Sequence, residues 1–519
     1  MATRFMRVAR LTVDSTLTKP APPACTGADY FMHTAFSGII LGVVLALVVC
    51  AALDGFSAPP DAPVEAASKA RQFRAGAATS NITPRLGTSI NGYFNDRRAT
   101  HIHDELHARC LVLDDGQTRL AIAVCDSCMI PREVLDAAKR QIAEKHGLAP
   151  EHVLISATHT HTAPTSAAVF QSEPDRHYTE FLAGRIADGV GRAINNLAPA
   201  KIAWGVGREP SQVFNRRWKM KPGTIPPNPF GGTNDLVKMN PPIESPNLVE
   251  PAGPTDPEVT VVSVQSPAGR PIALLANYSL HYVGTGRDAE VSADYYGAFA
   301  ERIGQLLGAD RQDPPFVALL SNGTSGNINN INFRQKRPPQ PPYEQMRAVA
   351  DAVAAEAHRV CQSLQYQDWV PLSVRATKLK VGVRRPSPEE VERAETILAQ
   401  AKGKELKTPE QVFARETVLM KDYPKDMPLI IQAMRIGDLG LAAIPCEVFA
   451  ETGLAIKQQS PFKPTFTIEL ANGCSGYLPT PEQHQLGGYE TWRARSSFLE
   501  TEAAPKIFAT LMGLFAQLR

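Results

Sequence analysis

Short apolar runs alternate with amphipathic stretches of helical period from residue 109 onward, and this alternation most constrains what the chain can fold into. Residues 109–113 and 120–124 read as neighbouring strands joined by a turn at Asp114-Asp115-Gly116. Arg132–His146 reads as an amphipathic helix closed by Gly147. Residues 152–157 form a short buried strand, and 178–197 a second helix. Glu258–Gln265 and Pro271–Tyr278 are again strands, with the turn Pro267-Ala268-Gly269-Arg270 between them. Helices are expected over 295–307, 343–361 and 505–518, and strands over 316–320, 439–444 and 465–470. The pattern predicts an α/β fold: one large domain of mixed β-sheets flanked by helices, with long loop insertions. Two stretches depart from it. Residues 218–257, rich in Pro, Asn and Gly, are expected to be a long ordered loop. Residues 387–421 read as a solvated, charged helical insertion. No internal repeat is evident.

The N-terminal part has a different character. No charged residue occurs from 31 to 53; Arg4, Arg7, Arg10 and Lys19 lie upstream, and Ser57-Ala58-Pro59-Pro60 downstream. A basic region, an apolar run and a small-residue site describe an export signal, and the run is also long enough for one membrane span. The expected organisation is a signal peptide or membrane anchor over 1–58, a linker over 59–72 and a catalytic domain over 73–519. The protein is then exported (periplasmic, cell-surface or secreted), either released or N-terminally anchored, with membrane-surface association open. A near-balance of 54 Lys+Arg against 52 Asp+Glu gives no electrostatic case for a nucleic-acid partner.

The strongest chemical signal is Ser156-Ala157-Thr158-His159-Thr160-His161-Thr162-Ala163-Pro164. It follows a buried strand, so it lies at a strand's C-terminal end, where α/β proteins build sites. Alternation along an extended chain places His159 and His161 on one face, where two imidazoles can share a metal, or one can ligate while the other handles protons. His281 ends another strand; Glu447, in Pro445-Cys446-Glu447-Val448, and Tyr477, in Asn472-Gly473-Cys474-Ser475-Gly476-Tyr477, each follow one. Singly, these are equally a capped His, a surface Glu and a packed Tyr. Together, two His, a carboxylate and an open position suit a hydrolytic zinc centre, although spacing cannot show that they converge. Cys125 and Cys128 form a C-x-x-C inside a strand-like run, so these thiols read as small buried hydrophobes rather than a zinc ribbon.

Several segments, in order, resemble the neutral/alkaline non-lysosomal ceramidase family. Phe73 to Pro84, ending Asn81-Ile82-Thr83-Pro84, is similar to that family's opening strand, and Asn91-Gly92-Tyr93 and Ile102-His103-Asp104-Glu105-Leu106-His107 to the segment after it. Thr158-His159-Thr160-His161-Thr162-Ala163-Pro164 resembles its T-H-T-H-S-G-P motif, Ser321-Asn322-Gly323-Thr324-Ser325-Gly326 its S-N-A-G segment, and Ser475-Gly476-Tyr477-Leu478-Pro479-Thr480-Pro481-Glu482 its S-G-Y-V-T-T-P-E motif. The resemblance implies a zinc-dependent amidohydrolase, with Zn2+ held by His159, His281, Glu447 and Tyr477. It implies that His161 and Tyr477 bond the reacting carbonyl or oxyanion, and that Arg216, in Asn215-Arg216-Arg217, is the active-site Arg, with Arg217 as the fallback. It implies a small-molecule or lipid substrate with an acyl group, cleaved at an N-acyl bond. Asn329 stands where the family carries an active-site Ser; Asn hydrogen-bonds a substrate but is no nucleophile, so activated water fits this chain and a serine mechanism does not. Residues 218–257 do not resemble the family and are expected to shape the pocket over the metal, and no counterpart of the family's C-terminal immunoglobulin-like domain is expected. Two other readings stay open: a catalytically silent binding protein of this fold, and a zinc esterase or amidase acting on a non-lipid substrate.

Overall fold

Three times along the chain an antiparallel hairpin is followed by a helix and then by a strand parallel to the hairpin's second strand. The computed structural model describes residues 71–401 and 405–519, so the expected leader, and all but the end of the expected linker, lie outside the described residues. In the first unit His107–Asp114 and Arg119–Cys125 form the hairpin, Arg132–His146 is the helix and Val153–Ala157 the parallel strand. In the second, the same roles fall to Glu258–Gln265, Pro271–Tyr278, Asp294–Leu306 and Val317–Asn322. Asp426–Ile436, Leu439–Ala443, Ala450–Gln459 and Thr465–Ile468 make the third. A parallel return requires a crossover, which the helix supplies each time. The units share a pattern of elements and not residue identities, so the recurrence leaves no repeat in the sequence.

Added antiparallel strands extend the units into one five-stranded and two four-stranded sheets. Arg74–Asn81 joins the first, Lys201–Arg208 the second and Leu372–Gly382 the third. One apolar core draws on all three sheets, including Leu111, Ile122 and Leu154, then Val262, Leu275 and Leu319, then Met434, Leu441 and Phe466. Alternate residues of the same strands face the other way. Cys110, Ala121, Ala123 and Ile155 pack with Leu135, Ile142, Leu182 and Ile186 of the helices Arg132–His146 and Arg176–Asn195. Strands covered on both faces read as continuous apolar runs, as these do. Gly147, at φ 65°, closes its helix by donating its N–H to the Ala143 carbonyl, as expected.

The two exceptional stretches are more ordered than their composition suggests. Within 218–257, Val237–Met239 and Leu248–Pro251 both pair with Arg217–Met220. Within 387–421 lie two helices, Pro388–Gln400 and Pro409–Met420. The first is mostly exposed, burying Ala394, but the second is not the solvated helix expected: it buries Val412, Phe413, Glu416 and Met420. Phe413 packs against Phe94, Phe170, Phe230 and Trp492, and buried Glu416 accepts from Arg495 with both oxygens, at 2.8 and 2.9 Å.

Candidate active site

The functional candidates cluster at the ends of the parallel strand pairs. His159 follows Val153–Ala157, His281 follows Pro271–Tyr278, and Glu447 follows Leu439–Ala443. Each unit thus contributes one donor. His159 Nε2 lies 2.9 Å from His281 Nε2, 3.1 Å from His161 Nε2 and 3.2 Å from Glu447 Oε2. Donor atoms of His159, His281 and Glu447 all lie within 4.8 Å of one another, in fully buried surroundings. Tyr477 is the register partner of Glu447 in a two-residue parallel pairing.

His159 and His161 meet, but not by the route their spacing suggests. His159 has φ 74°, in the left-handed region, so the chain turns there instead of alternating in an extended strand. The turn is pinned by His159 N–H donating to Ser127 O at 2.8 Å, and by the Thr160 and Thr162 hydroxyls donating to Ser292 O at 2.9 and 2.8 Å.

The far sides of the rings fix their protons. His159 Nδ1 lies 2.7 Å from Cys128 O, and His281 Nδ1 lies 3.1 Å from Ser325 O. A carbonyl only accepts, so both Nδ1 atoms carry hydrogen and both Nε2 atoms of the neutral rings present lone pairs. With both rings neutral, two lone pairs 2.9 Å apart beside the Glu447 carboxylate repel one another, and either a metal ion between them or a proton on His159 relieves this. The three rings ionise differently. Burial holds His161 and His281 well below the ordinary imidazole range. Burial also works against charge on His159, but the Glu447 carboxylate and Cys128 carry it well above that range, so with no ion bound His159 holds a proton that a metal ion would displace. Two imidazoles and a carboxylate are the donor chemistry of a hydrolytic metal site, so these residues fit a metal ion.

A cavity of about 210 Å3 opens over this cluster and is lined by His161, Arg216, His281, Asn329, Tyr477 and Tyr489. Arg216 Nη1 donates toward His281 Nε2 at 3.2 Å, and Nε to Glu490 Oε1 at 2.9 Å, while its buried Nη2 has no partner. The neighbouring Arg217 is fully buried and turned into protein, donating to Glu490 Oε2, Gln483 O and Gly487 O. Both arginines reach Glu490, and of the two Arg216 lines the cavity. Asn329 lines it too, but its amide is already engaged: Nδ2 donates to Asn240 Oδ1 at 2.6 Å and Oδ1 accepts from Ile331 N–H. The Tyr477 phenol is raised well above its ordinary range by burial and then by Glu447, so it stays protonated. His161 stacks on Tyr282 with ring centroids 3.7 Å apart.

Sequence reasoning missed several supports. The Cys128 carbonyl orients His159, Glu490 binds both arginines and Tyr282 backs His161. Buried Glu469, raised to about 8 by burial, accepts from the Ser325 hydroxyl and the Val448 N–H beside Glu447. The C-x-x-C drew notice for its thiols, which are unpaired, whereas Cys128 acts through its carbonyl. Glu490 and Glu469 carry no local motif.

The fold is mixed α/β, with a candidate metal centre where its parallel strands end. The chain belongs to the neutral/alkaline non-lysosomal ceramidase family, whose N-terminal model matches residues 73–333. Neutral ceramidase from Pseudomonas aeruginosa has a similar fold, with TM-score 0.65 and 19% identity over 86% of this chain and 74% of that one. A ceramidase complexed with C2 matches with TM-score 0.65 and 18% identity over 86% of this chain and 75% of that one. The matched family region contains His159, His161, Arg216, His281 and Asn329; Glu447 and Tyr477 lie beyond it.

Proposed function

We propose that the protein is an exported, zinc-dependent amidohydrolase that cleaves the N-acyl bond of an acylated small molecule or lipid. The observation that carries this reading is the convergence of His159 Nε2, His281 Nε2 and a Glu447 carboxylate oxygen within 4.8 Å of one another, on the wall of a polar cavity. His159, His281, Glu447 and Tyr477 would hold the ion. When bound, zinc supplies Lewis acidity and activates water at neutral pH. The chain's own residues then bind and polarise the acyl group. Arg216 stays charged: burial opposes this, but Tyr477, Glu490 and Glu447 outweigh it. Its unpartnered Nη2, the Tyr477 phenol and a neutral His161 are donors for a carbonyl oxygen that gains negative charge. Asn329 contributes a hydrogen-bonding wall, not a nucleophile.

Membership in the ceramidase family supports an amide over an ester, and the complete donor set supports an active enzyme over a silent binder. The test is a panel of fluorogenic N-acyl and O-acyl compounds, with and without chelator. Amide turnover that chelator abolishes and zinc restores is expected; turnover of short-chain esters alone contradicts the reading. The apolar run 31–53 supports export. N-terminal sequencing of the mature protein checks this, with loss of 1–58 expected if the leader is cleaved.

A further inference from the structure

Residues 469–472 follow the strand Thr465–Ile468 and bond to all three units at the ends that carry metal donors. All four are buried. Toward the first unit, Leu470 O accepts from Ala157 N–H at 3.2 Å and Asn472 N–H donates to Ile155 O at 2.8 Å, just ahead of His159. Toward the second, Glu469 N–H donates to Asn322 O at 3.2 Å. Within the third, Leu470 N–H donates to Cys446 O at 3.1 Å, beside Glu447. The bends this requires are held by Leu470 at φ 48° and Asn472 at φ 64°, left-handed conformations on non-glycine residues. Such conformations persist only where the surroundings over-determine them, and they cluster at functional sites.

One side chain of this segment joins two units. Glu469 Oε1 accepts from the Ser325 hydroxyl at 2.5 Å, and Oε2 from Ser325 N–H at 3.2 Å and Val448 N–H at 2.7 Å. The Ser325 carbonyl is the acceptor that fixes His281 Nδ1, and Val448 is the residue after Glu447. Asn322 secures the same loop, its Nδ2 donating to Ser325 Oγ at 3.0 Å. A single buried carboxyl therefore fixes both the peptide that orients His281 and the strand that carries Glu447, whose Oε2 lies 3.9 Å from His281 Nε2. Burying a carboxyl has a desolvation cost that an apolar residue at the end of a core strand would not incur. Hydrogen-bond partners placed behind metal ligands in this way set ligand orientation.

We propose that Glu469 is a positioning residue of the metal centre: through Ser325 and Val448 it sets the spacing of His281 and Glu447. This rests on the reading of His159, His281 and Glu447 as metal ligands. The role differs from that of Cys128, whose carbonyl orients His159 alone. Asp115 offers a contrast within the same fold. Its buried carboxyl also ties two backbone segments, accepting from Thr118 N–H and Leu372 N–H, but at the opposite end of the strand Arg119–Cys125 from the site.

The test measures zinc affinity of the full chain by competition with a chromophoric chelator, at a temperature where circular dichroism shows every variant folded. Glu469→Leu should weaken zinc binding about 10–100-fold. Glu469→Gln keeps an oxygen for the two N–H groups and an amide for the Ser325 hydroxyl, and should recover most of that affinity. Asp115→Leu should lower the unfolding midpoint and leave zinc affinity unchanged. If Glu469→Leu does not fold, Ser325→Ala takes its place, with an expected loss of about threefold or more. A metal-free readout, nitrogen NMR of the His281 ring, should show hydrogen on Nδ1 in the native chain and in Glu469→Gln, and a mixture of tautomers in Glu469→Leu. Zinc affinity unchanged in Glu469→Leu, or lost no more than in Asp115→Leu, overturns the proposal and leaves the metal reading intact. A native chain that takes up no zinc contradicts the metal reading, and the His281 tautomer then decides on Glu469: a mixture in Glu469→Leu supports its positioning role, and hydrogen retained on Nδ1 overturns it.

Discussion

Glu490 accepts from Arg216 at 2.9 Å with one carboxylate oxygen, while its other oxygen binds Arg217, all within a fully buried site. One arginine reaches the cavity and the other anchors the helix Pro481–Leu486 and the turn after it through Gln483 and Gly487. Burial works against the charge on Glu490, but the two guanidiniums hold its carboxyl below the usual range.

Glu490→Gln keeps the shape and removes the charge, leaving two buried guanidiniums without a counter-ion. Breaking a buried pair in this way costs about 3–5 kcal/mol, read from the shift in denaturant unfolding. Arg216 also loses its fixed direction, so kcat should fall more than KM rises. A variant within about 0.5 kcal/mol of the native chain would contradict this role.

Gly92 tests the placing of His161. It has φ 106°, and a Cβ there would lie 2.5 Å from Cγ and Nδ1 of the His161 ring. Gly92→Ala therefore forces the ring to move, in addition to backbone strain of about 1–3 kcal/mol. Because His161 is assigned to the carbonyl and not to the ion, bound zinc should be retained while kcat falls about 10-fold or more. Loss of zinc with unchanged kcat per bound ion would place His161 among the ligands instead.

Lys139 gives a pH dependence remote from the metal cluster. It is buried on the helix Arg132–His146, donates to Asn472 Oδ1 at 2.7 Å, and is lowered to about 8 mainly by burial. Between about pH 8 and its unfolded value near 10.4, the unfolded chain holds more protons at this group than the folded one, so its contribution to stability rises with pH. A depression of this size corresponds to about 3 kcal/mol, present above that window and lost as pH falls through it. Lys139→Met should flatten the difference in unfolding free energy between pH 7.5 and 10. An unchanged slope would mean that the amine is solvated.

Periodicity made the layered core legible. Glu258–Gln265, Pro271–Tyr278 and Arg132–His146 have the bounds that their apolar spacing indicates, because burial on a sheet or helix face fixes that spacing. The left-handed turn at His159 was not legible, since nothing in Thr-His-Thr-His signals a positive φ on a non-glycine residue. The burial of Phe413 was hidden by the charged residues around it, because the helix is amphipathic against a partner far off in sequence. Glu490 illustrates the general reason: a buried ion pair spanning more than 270 positions leaves no local pattern at either end.

Whether His159, His281 and Glu447 converge on an ion is read by metal analysis of the purified full chain. About one zinc per chain is expected, lost in His159→Ala and in Glu447→Gln with the fold retained by circular dichroism. A native chain that purifies without metal and takes up none on dialysis against zinc would contradict it.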